Sequence, residues 1–186
     1  MKRIVFFGNS LTAGYGLADP LKQSIPGLIA EKIKQLGADY EVHNYGVSGD
    51  TTTSAIKRLN HVLSLPIDLF VLELGANDFL QGTHAETIFN NLQYIIDQVR
   101  NRQPDSKILL LGLELPPWAV RSHSGNYNTI YKNLAEQNKL SLLPSFLKGV
   151  SGKRELNMFD GVHPLASGYE IAANNIWPVL KNLLLF

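Results

Sequence analysis

Cysteine is absent from the 186 residues, which excludes a disulfide framework, a cysteine nucleophile and a thiolate metal site together. A charge excess is missing as well. Seventeen basic and sixteen acidic residues leave a formal +1, so no basic field exists to hold a nucleic-acid backbone, and no nucleic-acid partner is expected. No run approaches the roughly 18 apolar residues of a membrane span, so stable membrane insertion is not expected either. Behind Met1-Lys2-Arg3, the apolar stretch Ile4 to Phe7 meets Gly8-Asn9-Ser10, short of the ~7–15-residue apolar core of an export signal. On that ground the chain reads as cytoplasmic, and as periplasmic or secreted if a leader has been removed. Low-complexity segments, internal repeats and linkers are lacking. With 45% hydrophobic and 18% charged residues, long disordered tracts are excluded, and residues 1–186 read as a single domain with a core of its own.

What is present is an alternation of short apolar runs with helical patterns. Strands are expected at Ile4 to Phe7, Tyr40 to Tyr45, Leu69 to Leu74, Ile108 to Leu111 and Leu140 to Leu143. Helices are expected at Ser24 to Leu36, ended by Gly37, and at Asp50 to Leu65, stopped by Pro66. Further helices are expected from a Thr83–Glu86 capping box to about Gln103, at Tyr127 to Asn138, and from Pro164 to Phe186 with a bend or restart at Pro178. This order predicts an α/β protein whose parallel sheet is covered on both faces.

In such a sheet, ligands bind beyond the carboxyl ends of the strands. Those ends carry Gly8-Asn9-Ser10-Leu11, Gly46-Val47-Ser48-Gly49-Asp50 and Gly75-Ala76-Asn77-Asp78, and Asp160-Gly161-Val162-His163-Pro164 precedes the last helix. Ser10 reads either as a nucleophile exposed at a strand tip or as a helix cap. Of the five histidines, His61 and His84 read as bland, His43 as half-buried in a strand, and His123 lies in a long loop. His163 alone has an acid three residues upstream in a turn that cannot be helical. That spacing lets the Asp160 carboxylate reach Nδ1 while Nε2 faces outward. The alternative is an Asx turn before a proline-started helix. Gly46 reads as a backbone donor for an oxyanion or as turn punctuation, and Asn77 as a side-chain donor or a left-handed turn residue. Dinucleotide, P-loop and G-x-S-x-G patterns do not occur. No histidine pair has metal-ligand spacing.

Together the four blocks resemble the SGNH subgroup of the GDSL hydrolases, in order and across nearly the whole chain. Within it, the short chain and Leu11-Thr12-Ala13-Gly14-Tyr15-Gly16 are similar to the small bacterial thioesterase, lysophospholipase and arylesterase group. The resemblance implies a three-layer flavodoxin-like fold with strand order 2-1-3-4-5. It also implies a Ser10, Asp160, His163 triad, with Ser10 N–H, Gly46 N–H and the Asn77 side chain as oxyanion hole. The implied activity is hydrolysis of a small acyl ester or thioester through an acyl-enzyme, without cofactor or metal, by a monomer or weak dimer. Rival readings are a carbohydrate O-acetylesterase, a catalytically silent binding module and a flavodoxin-like cofactor carrier. Leu11, Phe79, Leu80 and Trp118 are candidates for an apolar acyl groove, with ordinary loop packing as their alternative. One departure stands out: Asn9 replaces the aspartate of Gly-Asp-Ser-Leu. It acts either through a negative charge missing near His163 or as a hydrogen-bonding turn residue.

Overall fold

The computed structural model describes residues 1–113 and 127–185. In chain order the first half holds β1 (Lys2–Gly8), α1 (Ser10–Ala13), α2 (Pro20–Gln23), α3 (Ile25–Leu36), β2 (Tyr40–Gly46), α4 (Thr52–Val62) and β3 (Leu69–Glu73). The second half holds α5 (Ala76–Leu80), α6 (Ala85–Arg102), β4 (Lys107–Leu111), α7 (Tyr127–Asn138), β5 (Ser141–Leu143) and α8 (Ala166–Leu185).

The strands form one parallel sheet in the order β2-β1-β3-β4-β5, as the resemblance implies. Side chains alternate across it. Ile4 and Phe6 of β1, Leu69 and Val71 of β3, and Leu109 and Leu111 of β4 enter one apolar cluster. Val5, Phe7, Phe70, Leu72, Ile108 and Leu110 enter the other. Burial on both faces explains why these strands read as unbroken apolar runs. On the first face, Ile25, Ile29 and Ile33 of α3 meet Tyr169, Ala172, Ile176 and Leu180 of α8. On the second, α4, α6 and α7 contribute Leu59, Val62, Leu92, Ile95, Ile96 and Leu134. No helix among the described residues is long and apolar enough to cross a membrane.

The helix signals around α3 act as read: Ser24 Oγ accepts from Gly27 N–H, and Gly37 ends the helix at φ 69°. Two readings are corrected. The expected Thr83–Glu86 box does not cap α6. Its N-cap is His84 with no side-chain capping bond, because Thr83 N–H donates to Asp78 O and belongs to the preceding turn. A capping box forms instead at the start of α4, between Thr51 and Ser54. The final helix begins at Ala166 and runs on through Pro178 without restarting.

Candidate active site

β1 delivers the chain to the sheet edge, and Asn9, not Ser10, caps the turn that follows. Asn9 Oδ1 accepts from Leu11 N–H at 2.9 Å, which leaves Ser10 as the first residue of α1 with its hydroxyl unclaimed by the cap. Ser10 Oγ lies 2.9 Å from His163 Nε2, and His163 Nδ1 lies 2.7 Å from Asp160 Oδ2. The other carboxylate oxygen of Asp160 accepts from Val162 N–H at 2.9 Å and His163 N–H at 3.0 Å, so the acid also builds the turn that carries the histidine. Partial burial opposes ionisation of Asp160, but the bonds from the His163 amide, its ring and the Val162 amide prevail and hold the carboxyl down at about 2. The turn is pinned by Met158 N–H to His163 O at 2.7 Å and by an antiparallel bridge between Asn157 and Pro164. The Tyr15 ring packs against the imidazole, centroids 4.5 Å apart. The other described histidines are elsewhere: His43 pairs with Arg3 and Glu41, His61 is in α4 and His84 caps α6. His123 lies outside the described residues.

Asn77 sits in the first turn of α5, beside the loop after β2. Its Nδ2 donates to Asp50 O at 2.8 Å, which uses one of two N–H groups and fixes the amide plane. It is helical, so the left-handed-turn alternative does not apply. Gly46 has a different task from the one the sequence assigns it. Its N–H already donates to Asn44 Oδ1 at 2.9 Å, and a Cβ there would lie 2.2 Å from Ala13 N, so the glycine lets β2 press against α1. Gly49, three residues on, stands in the same sequence block, where it was given no role. It holds φ 84°, and among the described residues its N–H and that of Ser10 have no acceptor. The Asp50 carbonyl that anchors Asn77 begins at the next residue.

The candidate acyl residues divide. Leu11 (2% exposed) and Phe79 (8%) are packed into the two cores, so neither lines an open groove, whereas Leu80 (57%) faces solvent. Trp118 lies outside the described residues. Sequence reasoning missed the exposed apolar side chains Tyr15, Val47, Phe159 and Val162 on the loops around the Ser10–His163 pair. A cavity of about 620 Å³ is bounded by Lys153, Arg154, Asn157, Met158, Phe159 and Gly161 beside the Asp160 turn, and neither Ser10 nor His163 lines it.

Three buried acids brace this edge. Asp78 accepts from Thr52 N–H at 2.8 Å and Thr52 Oγ1 at 2.6 Å, tying α5 to the start of α4. Glu73 closes β3 behind Ser10. Its sequence signal was an acid inside the apolar run Leu69 to Leu74. Asp50 Oδ2 meets Arg58 Nε at 2.6 Å, and Arg58 Nη2 donates to Gly8 O at 3.0 Å.

The profile of the GDSL-like Lipase/Acylhydrolase family matches residues 6–171. The chain is 34% identical over 182 residues to Esterase TesA of Pseudomonas aeruginosa, covering 97% of this chain and 89% of that one. It is 31% identical over 164 residues to Thioesterase 1/protease 1/lysophospholipase L1 of Escherichia coli, covering 87% and 74%. A crystal structure of TesA superposes with a TM-score of 0.89 at 33% identity, covering 98% of this chain and 99% of that one.

Proposed function

The chain belongs to the GDSL-like lipase/acylhydrolase family and is an SGNH-type carboxylic ester hydrolase, and from that premise we propose that Ser10 is its nucleophile, His163 its base and Asp160 the orienting acid. The observation that carries this reading is the unbroken chain Asp160–His163–Ser10, with contacts of 2.7 and 2.9 Å. His163 Nε2 removes the hydroxyl proton as Oγ attacks the ester carbonyl, and Asp160 holds the proton on Nδ1 and stabilises the imidazolium. The oxyanion is held by the Ser10 N–H and the second Nδ2–H of Asn77. Since the Gly46 amide is engaged with Asn44, the backbone donor from the β2 loop is Gly49 in place of Gly46. His163 then protonates the leaving group, and water releases the acyl chain by the same route.

Tyr15, whose ring packs on the His163 imidazole, and Val162, the neighbouring residue in the Asp160 turn, put exposed apolar surface beside His163, which suits an acyl chain. The relative named as a thioesterase and lysophospholipase supports extending the substrates from simple esters to acyl thioesters and lysophospholipids. The test is a set of soluble aryl esters of graded acyl length with wild type, Ser10→Ala and His163→Ala, together with a phosphonate ester that labels the nucleophile. Both variants should lose nearly all turnover and the label should map to Ser10. Near-wild-type hydrolysis by a clean Ser10→Ala preparation overturns the assignment.

A further inference from the structure

Glu73 takes no part in these proton transfers, yet every hydrogen bond found for its side chain runs to the turn that presents Ser10. The residue is 3% exposed. Oε1 accepts from Asn9 Nδ2 at 3.0 Å, and Oε2 accepts from Asn9 N–H at 3.2 Å and Thr12 Oγ1 at 2.8 Å. The bonded residues flank Ser10 on both sides. Gly8 makes the room: a Cβ there would lie 2.1 Å from Thr12 Oγ1 and 2.7 Å from Glu73 Oε2. Asn9 completes the ring, because the amide that donates to Glu73 also caps α1 through its oxygen.

We propose that Glu73 is a positioning residue for the nucleophile, and that Asn9 and Glu73 form a matched amide–carboxylate pair that sets the turn carrying Ser10. The inference rests on Ser10 as nucleophile. The donors of Asn9 and Thr12 converge on Glu73, and the two from Asn9 can only donate, so the carboxyl is the acceptor of the pair. Burial opposes the ionised form and pushes the carboxyl up to about 7, with the bonds from Thr12 and Asn9 working the other way. Tyr131 of α7 and Tyr169 of α8 lie in the two opposite cores, and the ionisation of each is pushed up by burial and then by the Glu73 charge. Buried Asp78 on α5 is a further acid acting on Tyr131. The position of Asn9 also favours one of its two readings: it is buried, with its amide oxygen bonded to Leu11 N–H in the turn and its NH2 bonded to Glu73 of β3, so it acts by hydrogen bonds.

The donor pattern makes the pair exchangeable only as a unit. Glu73→Gln sets an NH2 against the Asn9 NH2. Turning Asn9 over to meet it points its NH2 at Leu11 N–H and removes the cap. Asn9→Asp sets two buried carboxylates in the place of a 3.0 Å hydrogen bond, where they must share a proton. In Asn9→Asp/Glu73→Gln every bond returns. The new aspartate accepts from Leu11 N–H and from the glutamine NH2, and the glutamine oxygen accepts from the residue 9 N–H and Thr12 Oγ1. One negative charge remains and has moved across the pair.

The experiment measures kcat and KM on one soluble ester, the rate of Ser10 phosphonylation and Tm, for wild type, both single variants and the double. Each single should lower kcat and phosphonylation by about 5–150-fold, the range for a buried polar group left unsatisfied, with KM moving much less. The Asn9→Asp loss should deepen as pH rises and the shared proton leaves. The double should recover most of the lost rate. Singles that lower Tm but keep kcat and phosphonylation make Glu73 structural only and overturn the proposal. A double variant no better than the worse single overturns the pairing. Thr12→Val, which removes one bond alone, should give a smaller loss in the same direction and keeps the test decisive if a single variant fails to fold. A phosphonate label away from Ser10 is a different failure, that of the nucleophile assignment.

Discussion

Replacing Asp160 by asparagine separates the shape of the catalytic turn from its charge. The new side chain keeps an oxygen for the Val162 and His163 amides, which Oδ1 now serves at 2.9 and 3.0 Å. Its NH2 then stands where Oδ2 was, 2.7 Å from Nδ1, and two donors cannot share that contact. The ring proton moves to Nε2, which faces Ser10 Oγ as a donor and can no longer accept. The other amide rotamer restores the reactive tautomer but turns NH2 on both backbone amides. Two lost hydrogen bonds at roughly 0.5–1.5 kcal/mol each place the reactive form about 1–3 kcal/mol uphill. Loss of the carboxylate beside the imidazolium adds to this. The Asp160 side chain is 43% exposed, so water screens the pair, and about 1–2 kcal/mol is a fair share in place of the ~4 kcal/mol of a less screened pair. The sum, about 2–5 kcal/mol, gives a fall in kcat/KM of roughly 30- to 5,000-fold. Asp160→Ala loses the same charge but leaves Nδ1–H free to donate to water, so it should retain more activity than Asp160→Asn. Initial rates on a soluble ester at neutral pH, normalised by active-site titration, measure both. An asparagine variant within a few-fold of wild type, or one more active than the alanine variant, refutes the tautomer argument.

Asn77→Ala should lower kcat by about 10²–10³-fold with little change in KM, the usual effect of one lost oxyanion donor, and single-turnover acylation checks it. Arg58→Ala leaves the Asp50 carboxylate with one partner fewer, exposes Gly8 O and strips the cation from the Phe7 face 4.1 Å away, so urea denaturation should show a loss near the ~3 kcal/mol lower bound for breaking a buried pair. Glu73 has a folded-state pKa raised from 4.5 to about 7, so the native state holds its proton longer than the unfolded chain. Its stabilising share is then full below about pH 4.5 and declines as pH rises through about 7, and the Tm advantage of wild type over Glu73→Gln should narrow across that window.

The central strands and the long helices could be read because burial on both faces writes them as apolar runs, and because Ser24 and Gly37 punctuate α3 in the usual way. The one-turn helices α1, α2 and α5 could not. α1 depends on Asn9, whose amide is oriented by Glu73, 64 residues away, and no local pattern carries that. Thr83 and Glu86 have the spacing of a capping box, yet Thr83 is claimed by Asp78 O, while the box that does form has serine where glutamate or glutamine is usual. The Ser10, Asp160 and His163 contacts were legible from residue type and position at the sheet edge. Gly46 and Gly49 were not separable, since both sit in one short glycine-containing segment, and only the Asn44 oxygen, the close approach of Ala13 and the φ of 84° at Gly49 distinguish them. Leu11 and Phe79 show the same limit: an apolar residue beside a nucleophile reads alike whether it points into a groove or into a core.

The contact between Ser10 and His163 spans 153 residues, and the strand that carries Ser10 lies between β2 and β3 in the middle of the sheet. During synthesis or refolding, Ser10 can be seated by β1, β2 and β3 before the turn that carries His163 is in place. That turn precedes α8, whose docking on α3 closes one of the wider loops among the described residues. Hydrolytic activity is therefore a readout of the last closure rather than of the sheet. In a refolding time course, helical and strand signal returns first, and turnover returns no faster than α8 docks.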